Sequence, residues 1–225
     1  MKNNTITKED QKRLEEIFLE ASDNFKYTWG IKEFDKILDR YSEVKNEKIL
    51  YRLGQLYDHL AMKDEENKEK HEKKALNIYN KILEINPESQ KATWGIARVY
   101  WHRFSEEAVP YAKKAYKLAK KNKDKYGLYA QHIGLVYESL ENYNKAEKWL
   151  KKGLELEPDN WEMYLNLLVF YRLISDFEKS KEIAKKLNKL YKKEPQEFRN
   201  SAWGRRIQKA IDNADQPLPT KSEKK

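Results

Sequence analysis

The sequence predicts an all-α protein, a stack of repeated helix–turn–helix units, and three observations carry that prediction. Apolar residues recur along most of the chain at three- and four-residue steps, the spacing that gathers them on one face of a helix. Two residue ladders then share one period. Tyr57, Tyr100, Tyr137 and Tyr171 are separated by 43, 37 and 34 residues, and Ala75, Ala112, Ala146 and Ser180 by 37, 34 and 34. The surplus falls in the turns of the first two units, so the underlying repeat is 34 residues. Finally, 39% hydrophobic and 37% charged residues with 7 Gly in 225 residues are too polar for a compact globule. They suit an elongated stack in which each helix pair touches only its neighbours.

The clearest unit runs from Gly127 to Asn160. Ile133, Gly134 and Tyr137 share one face of its first helix, and Ala146, Leu150 and Gly153 one face of the second. Small residues at Gly134 and Ala146 let the two helices approach closely. Neither helix buries its apolar face alone, so the unit needs neighbours.

Taken in order, residues 1–7 read as a disordered N-terminus and 8–46 as a divergent helical pair. Thr7 caps a helix from Lys8 to about Ser22 with the stripe Leu14, Ile17, Phe18 and Ala21. A second helix, from about Thr28 to Val44, carries Ile31, Phe34, Leu38 and Tyr41. Four regular units follow, at 47–89, 90–126, 127–160 and 161–194. The first places Leu53, Gly54 and Tyr57, then Ala75, Tyr79 and Ile82, on the reference pattern. Between them lie about nine extra residues. The 61–74 insertion either lengthens the helices or forms a loop; Glu66 with Lys70 and Glu69 with Lys73, acid before base four apart, favour helix. The second unit offers Ile96, Ala97, Tyr100, Ala112, Tyr116 and Ala119. The last offers Leu167, Leu168, Tyr171, Ser180, Ala184 and Leu187. A capping helix over 195–213, with Phe198, Ala202, Ile207 and Ala210, closes the stack, and 214–225, with two Pro and almost no apolar content, reads as a disordered tail.

A 34-residue helix–turn–helix unit with Ile133, Gly134, Tyr137, Tyr143, Ala146, Leu150, Gly153 and Pro158 in these places resembles the tetratricopeptide repeat. Leu53, Gly54, Tyr57, Ala75, Tyr79 and Pro87 match in the first regular unit. The resemblance covers 47–194 and leaves the flanks as generic helices. Asp124 and Lys192 depart from it, standing where a Pro is usual. The resemblance implies a right-handed superhelical stack whose first helices line a concave groove for extended or helical peptides. Carried over by position, the groove candidates are Lys48, Tyr51, Gln55 and His59; Lys91, Trp94, Arg98, Trp101 and His102; Leu128, Gln131, Leu135 and Glu138; and Glu162, Leu165, Val169 and Arg172. Trp94, Arg98 and Trp101 stand out, because aromatics with an Arg are the side chains that most often anchor interfaces. Each Trp also admits a packing role. Tyr51, Gln131, Leu165 and Arg172 are expected around them. A Lys/Asn/Arg clamp for acidic C-terminal peptides is absent: Tyr51, Gln55, Gly95, Leu128 and His132 occupy its places.

The chain has no Cys, which excludes disulfides, thiolate catalysis and Cys-ligated zinc. Its start, MKNNTITKEDQKRLEE, lacks the apolar core of a secretory signal, and no stretch approaches a membrane span, so a cytoplasmic protein with no membrane association is expected. No Gly-rich phosphate loop, nucleophile elbow or metal-binding His–Glu motif occurs. His59 and His71 lie in the 47–89 unit, with His71 in its charged insertion, while His102 and His132 lie one in each of the next two units. Neither catalysis, nor a cofactor, nor a metal is expected. A formal net charge of +9 suits an acidic protein or peptide partner, though a Lys-rich surface is more often simply a solvated face. The alternative is nucleic acid, held by Lys runs at 113–125 and 185–193. Those runs fall on second helices, which the resemblance places on the opposite surface from the aromatics. Oligomeric state is open.

Overall fold

The computed structural model describes residues 5–218. Among them lie twelve helices and no strand: α1 (Lys8–Asp23), α2 (Tyr27–Leu38), α3 (Glu47–Ala61), α4 (Lys68–Ile85), α5 (Gln90–His102), α6 (Ala108–Lys121), α7 (Tyr126–Ser139), α8 (Tyr143–Leu156), α9 (Trp161–Leu173), α10 (Phe177–Tyr191), α11 (Gln196–Asn200) and α12 (Ala202–Asp212). The chain forms two compact units, Met1–Asn122 and Lys123–Lys225.

Short polar side chains start the helices. Thr7, Asn46, Ser89, Asn142, Asn160, Asp176 and Ser201 each accept a hydrogen bond from a backbone N–H of the first turn they precede. These acceptors satisfy donors that the helix itself leaves orphaned. The tight hairpin turns share one ending. Phe25, Phe104, Glu141 and Ser175 all have positive φ, between 53° and 58°. The following N–H of Lys26, Ser105, Asn142 and Asp176 then reaches back five residues, to the carbonyls of Ala21, Tyr100, Tyr137 and Tyr171. This is the Schellman closure, usually built on Gly. Here four side-chain-bearing residues tolerate it, at a backbone cost.

The first unit stacks three hairpins, α1/α2, α3/α4 and α5/α6. Leu14, Ile17, Phe18 and Ala21 of α1 and Ile31 and Phe34 of α2 are buried, as the sequence pattern predicts. The second helix is shorter than predicted. It stops at Leu38, and Tyr41 folds back so that its hydroxyl accepts from the Thr7 N–H at 3.2 Å and donates to the Asp10 carboxylate. Asp10 also receives Arg40 at 2.7 Å. Ile6 is buried and its carbonyl accepts from the Gln11 side chain, so residues just before α1 belong to this packing. Residues 1–4 lie outside the described residues.

The extra residues of 61–74 are mostly helix. Only residues 62–67 connect α3 to α4, and α4 runs 18 residues where its counterpart α8 runs 14. Asp64 accepts from Asn67 at the head of α4 and lies 3.0 Å from His71 Nε2, which fixes the lengthened end. At the centre of this unit Tyr79 of α4 is wholly buried between Gly54 of α3 and Gly95 of α5. A Cβ on either glycine would stand 2.5–2.6 Å from the ring, so only Gly lets α3 and α5 close on it from both sides.

The second unit stacks α7/α8 and α9/α10, and α12 packs on α10 and α9. Ile133, Ala146, Leu150, Leu167, Leu168, Tyr171, Ser180 and Leu187 are buried. The sequence predicts one helix over 195–213, whereas the structure holds two. Ser201 is extended (φ −69°, ψ 168°) and accepts from Gly204 N–H, so capping a new helix interrupts the old one. The chain then remains packed past α12. Ala214 is buried and Asp215–Pro217 lie exposed against the unit, a segment that composition alone reads as tail. Residues 219–225 fall outside the described residues.

Candidate protein-interaction site

In the first unit the neighbouring first helices α3 and α5 meet around a polar cluster. Asp58 of α3 is completely buried, and Arg98 of α5 donates to it through Nε. Arg98 Nη2 donates to the Tyr79 hydroxyl at 3.3 Å, and the Tyr51 ring lies 5.9 Å from that of Tyr79. His102 Nδ1 is 3.3 Å from the second carboxylate oxygen of Asp58, near enough for attraction but without hydrogen-bond alignment. Burial pushes the Asp58 carboxyl up, but Arg98 and His102 outweigh it and the carboxyl ends below its ordinary value. His59, adjoining Asp58, is driven down to about 4 by burial and by Arg98, and so is neutral at pH 7.

One helix further out, Arg52 of α3 donates to Glu15 of α1 at 2.6 Å and stacks over Phe18 at 4.2 Å, with Lys48 3.3 Å from the same carboxylate. The pair holds the Glu15 carboxyl below its usual range, chiefly through the Arg52 hydrogen bond. Each guanidinium on this face is therefore fixed by an acid on the neighbouring helix.

The seven groove residues predicted from the sequence divide by exposure. Tyr51, Arg98 and Trp101 are half-buried on the α3 and α5 faces. Trp94 is buried, with its ring 6.1 Å from Trp101, so of the two indoles one is packing and one reaches the surface. In the second unit Gln131 is buried and donates to the Glu162 carbonyl at 3.2 Å, tying α7 to the start of α9. Leu165 is buried too. Arg172 is also buried, but beneath the chain's own C-terminal segment: its Nε donates to the Gln216 carbonyl at 2.9 Å and Nη2 to the Pro217 carbonyl at 3.2 Å.

Asp58, Arg52 and Glu15 are absent from the anchor set predicted from sequence. Asp58 leaves a signal in the chain. It follows Tyr57 directly, the register also held by Trp101, Glu138 and Arg172 after their tyrosines, and an acid there stands beside the seam. Glu138 shares the oddity. One of its carboxylate oxygens is buried without a partner, and burial alone raises the group to about 7. No group of three or more His, Asp or Glu side chains placed to hold a metal occurs among the described residues.

A family model for the tetratricopeptide repeat matches residues 129–160, the α7/α8 hairpin. That hairpin therefore matches the tetratricopeptide repeat in sequence. No curated protein matches it by sequence. Among solved structures, a thermophilic tetratricopeptide-repeat protein of Thermus thermophilus is 19% identical, with a TM-score of 0.66 over 90% of this chain and 98% of that one. MamA from Desulfovibrio magneticus RS-1, residues 41 to the end, is 15% identical with a TM-score of 0.57 over 88% and 100%. Another MamA crystal structure is 18% identical with a TM-score of 0.54 over 77% and 94%. At such identities the likeness concerns the fold alone. It supports an all-α stack of helical hairpins.

Proposed function

We propose that the protein is a scaffold that binds a protein or peptide partner along the first-helix faces of its repeats, with the α3/α5 face of the first unit as the recognition surface. One observation carries this reading. Trp101 and Tyr51 stand half-exposed beside an Arg98–Asp58 pair locked in place by Tyr79, so the aromatic anchors sit on a preformed base. A side chain already held in position loses less entropy on binding. Because Asp58 occupies Arg98, and Glu15 is shared by Arg52 and Lys48, charge recognition of an acidic partner falls to the exposed Lys91. The role is binding rather than catalysis. Among the described residues no helix is long and apolar enough to cross a membrane, and a cysteine-free chain suits the cytoplasm.

Affinity purification of the tagged full-length chain, wild type against Trp101→Ala, tests the proposal. The expected result is a protein retained by the wild type and lost by the variant at unchanged melting temperature. Equal retention by both refutes the α3/α5 assignment. Retention of RNA instead, weakening steeply across a salt series, points to phosphate contacts.

A further inference from the structure

The sequence reads 214–225 as tail, yet the structure gives its first residues a binding partner. Arg172 sits near the end of α9, in the register that the resemblance assigns to the groove. It spends its guanidinium on two consecutive main-chain carbonyls, Gln216 at 2.9 Å and Pro217 at 3.2 Å. Around these bonds Ala214 is buried, while the side chains of Asp215, Gln216 and Pro217 are exposed. Arg172 thus holds the segment by its backbone, and the side chains of residues 215–217 are left free to differ. Pro217 has no N–H to satisfy and fixes its own φ, so it offers a carbonyl and asks for no acceptor in return. A planar guanidinium matches two such oxygens at once.

We propose that Ala214–Leu218 is an intramolecular ligand of the second unit, occupying a site that takes a proline-containing turn segment by its main-chain carbonyls through Arg172, and that an external segment of the same chemistry exchanges with it. The site is self-occupied in the isolated chain and opens when a competitor displaces the tail. This inference rests on the reading that first-helix faces of this fold take peptides. It concerns a different unit from the α3/α5 face and stands or falls by a separate measurement.

The chain has no native cysteine, so Gln216→Cys in the full-length protein gives one site for a nitroxide, on an exposed side chain whose backbone carbonyl is retained. The probe is a synthetic peptide of residues 214–225. Electron paramagnetic resonance should show a slowed label in the labelled chain. Adding Arg172→Gln should shift most of the signal to the fast component, and so should a hundredfold excess of the peptide on wild-type Arg172. A Gly/Ser dodecamer at the same excess should leave the label slow, and Trp101→Ala should leave it unchanged. A label already fast in the labelled chain overturns the proposal. So does a label that stays slow in Arg172→Gln with the circular-dichroism spectrum intact, or one indifferent to the free peptide. Displacement by the Gly/Ser peptide overturns the proline-containing specificity.

Discussion

Asp58→Asn is the substitution that the polar cluster makes most informative. Asn has nearly the shape of Asp, so packing at this fully buried position is preserved while the charge is removed. Arg98 stays ionised, because its attraction to Asp58 is only part of what keeps a guanidinium protonated. It then loses its counter-ion in a site where water cannot replace it, and breaking one partner from a buried pair costs about 3–5 kcal/mol. Against the roughly 5–15 kcal/mol that hold a domain together, that loss takes much of the stability of the first unit. Urea denaturation followed by circular dichroism reads the change as a lowered midpoint for that unit, with the second unit serving as an internal reference. The pH dependence follows from the depressed Asp58 carboxyl. Its stabilisation is fully present above the unfolded value of about 3.9 and disappears as pH falls through the lower folded value. Wild type and variant therefore converge in strong acid. The double change Asp58→Leu with Arg98→Met, which leaves no charge to orphan, should recover most of the loss. A cost below about 1 kcal/mol for Asn at pH 7 would show that the pair is solvated and refute the buried-network argument.

Gly54→Ala and Gly95→Ala both drive a methyl into the Tyr79 ring, which has a glycine on each side. Overpacking of about 1–3 kcal/mol should exceed the gain in helix propensity of about 1 kcal/mol, and a lower melting temperature checks it. Glu138→Gln should stabilise at pH 8. The carboxyl is raised to about 7, so the folded state loses stability as pH climbs from the unfolded value of about 4.3 through 7. The benefit should reach roughly 2–3 kcal/mol and vanish at pH 4, measured by urea midpoints at the two pH values. Glu141→Gly removes a side chain held at φ 56° and should raise stability by about 1 kcal/mol, whereas the same change at a helical position such as Lys148 lowers it.

The fold was legible because a repeat prints itself. The tyrosine and small-residue ladders register four hairpins without any tertiary information, and helices run where the periodic residues place them. Helix ends were harder to read. The stop of α2 at Leu38 depends on Tyr41 reaching Thr7 and Asp10, more than 30 residues back, and the break at Ser201 on a cap competing with a continuous helix. At the candidate site, period places a residue on a helix face but not the height of the neighbouring helix beside it. Trp94, Gln131 and Leu165 share the face of Trp101 in register, yet those three are buried while Trp101 reaches the surface. Arg172 illustrates the other limit. Its partner is a pair of backbone carbonyls, which no residue type announces.

Hydrogen exchange of the partner complex, compared with the free chain, tests the central claim most directly. A partner on the proposed surface should slow exchange in peptides from α3 and α5, at Tyr51 and Trp101 foremost, and leave α4 and α6 unchanged. Protection confined to the Lys-rich second helix α6, with α3 and α5 exchanging as in the free chain, would contradict it.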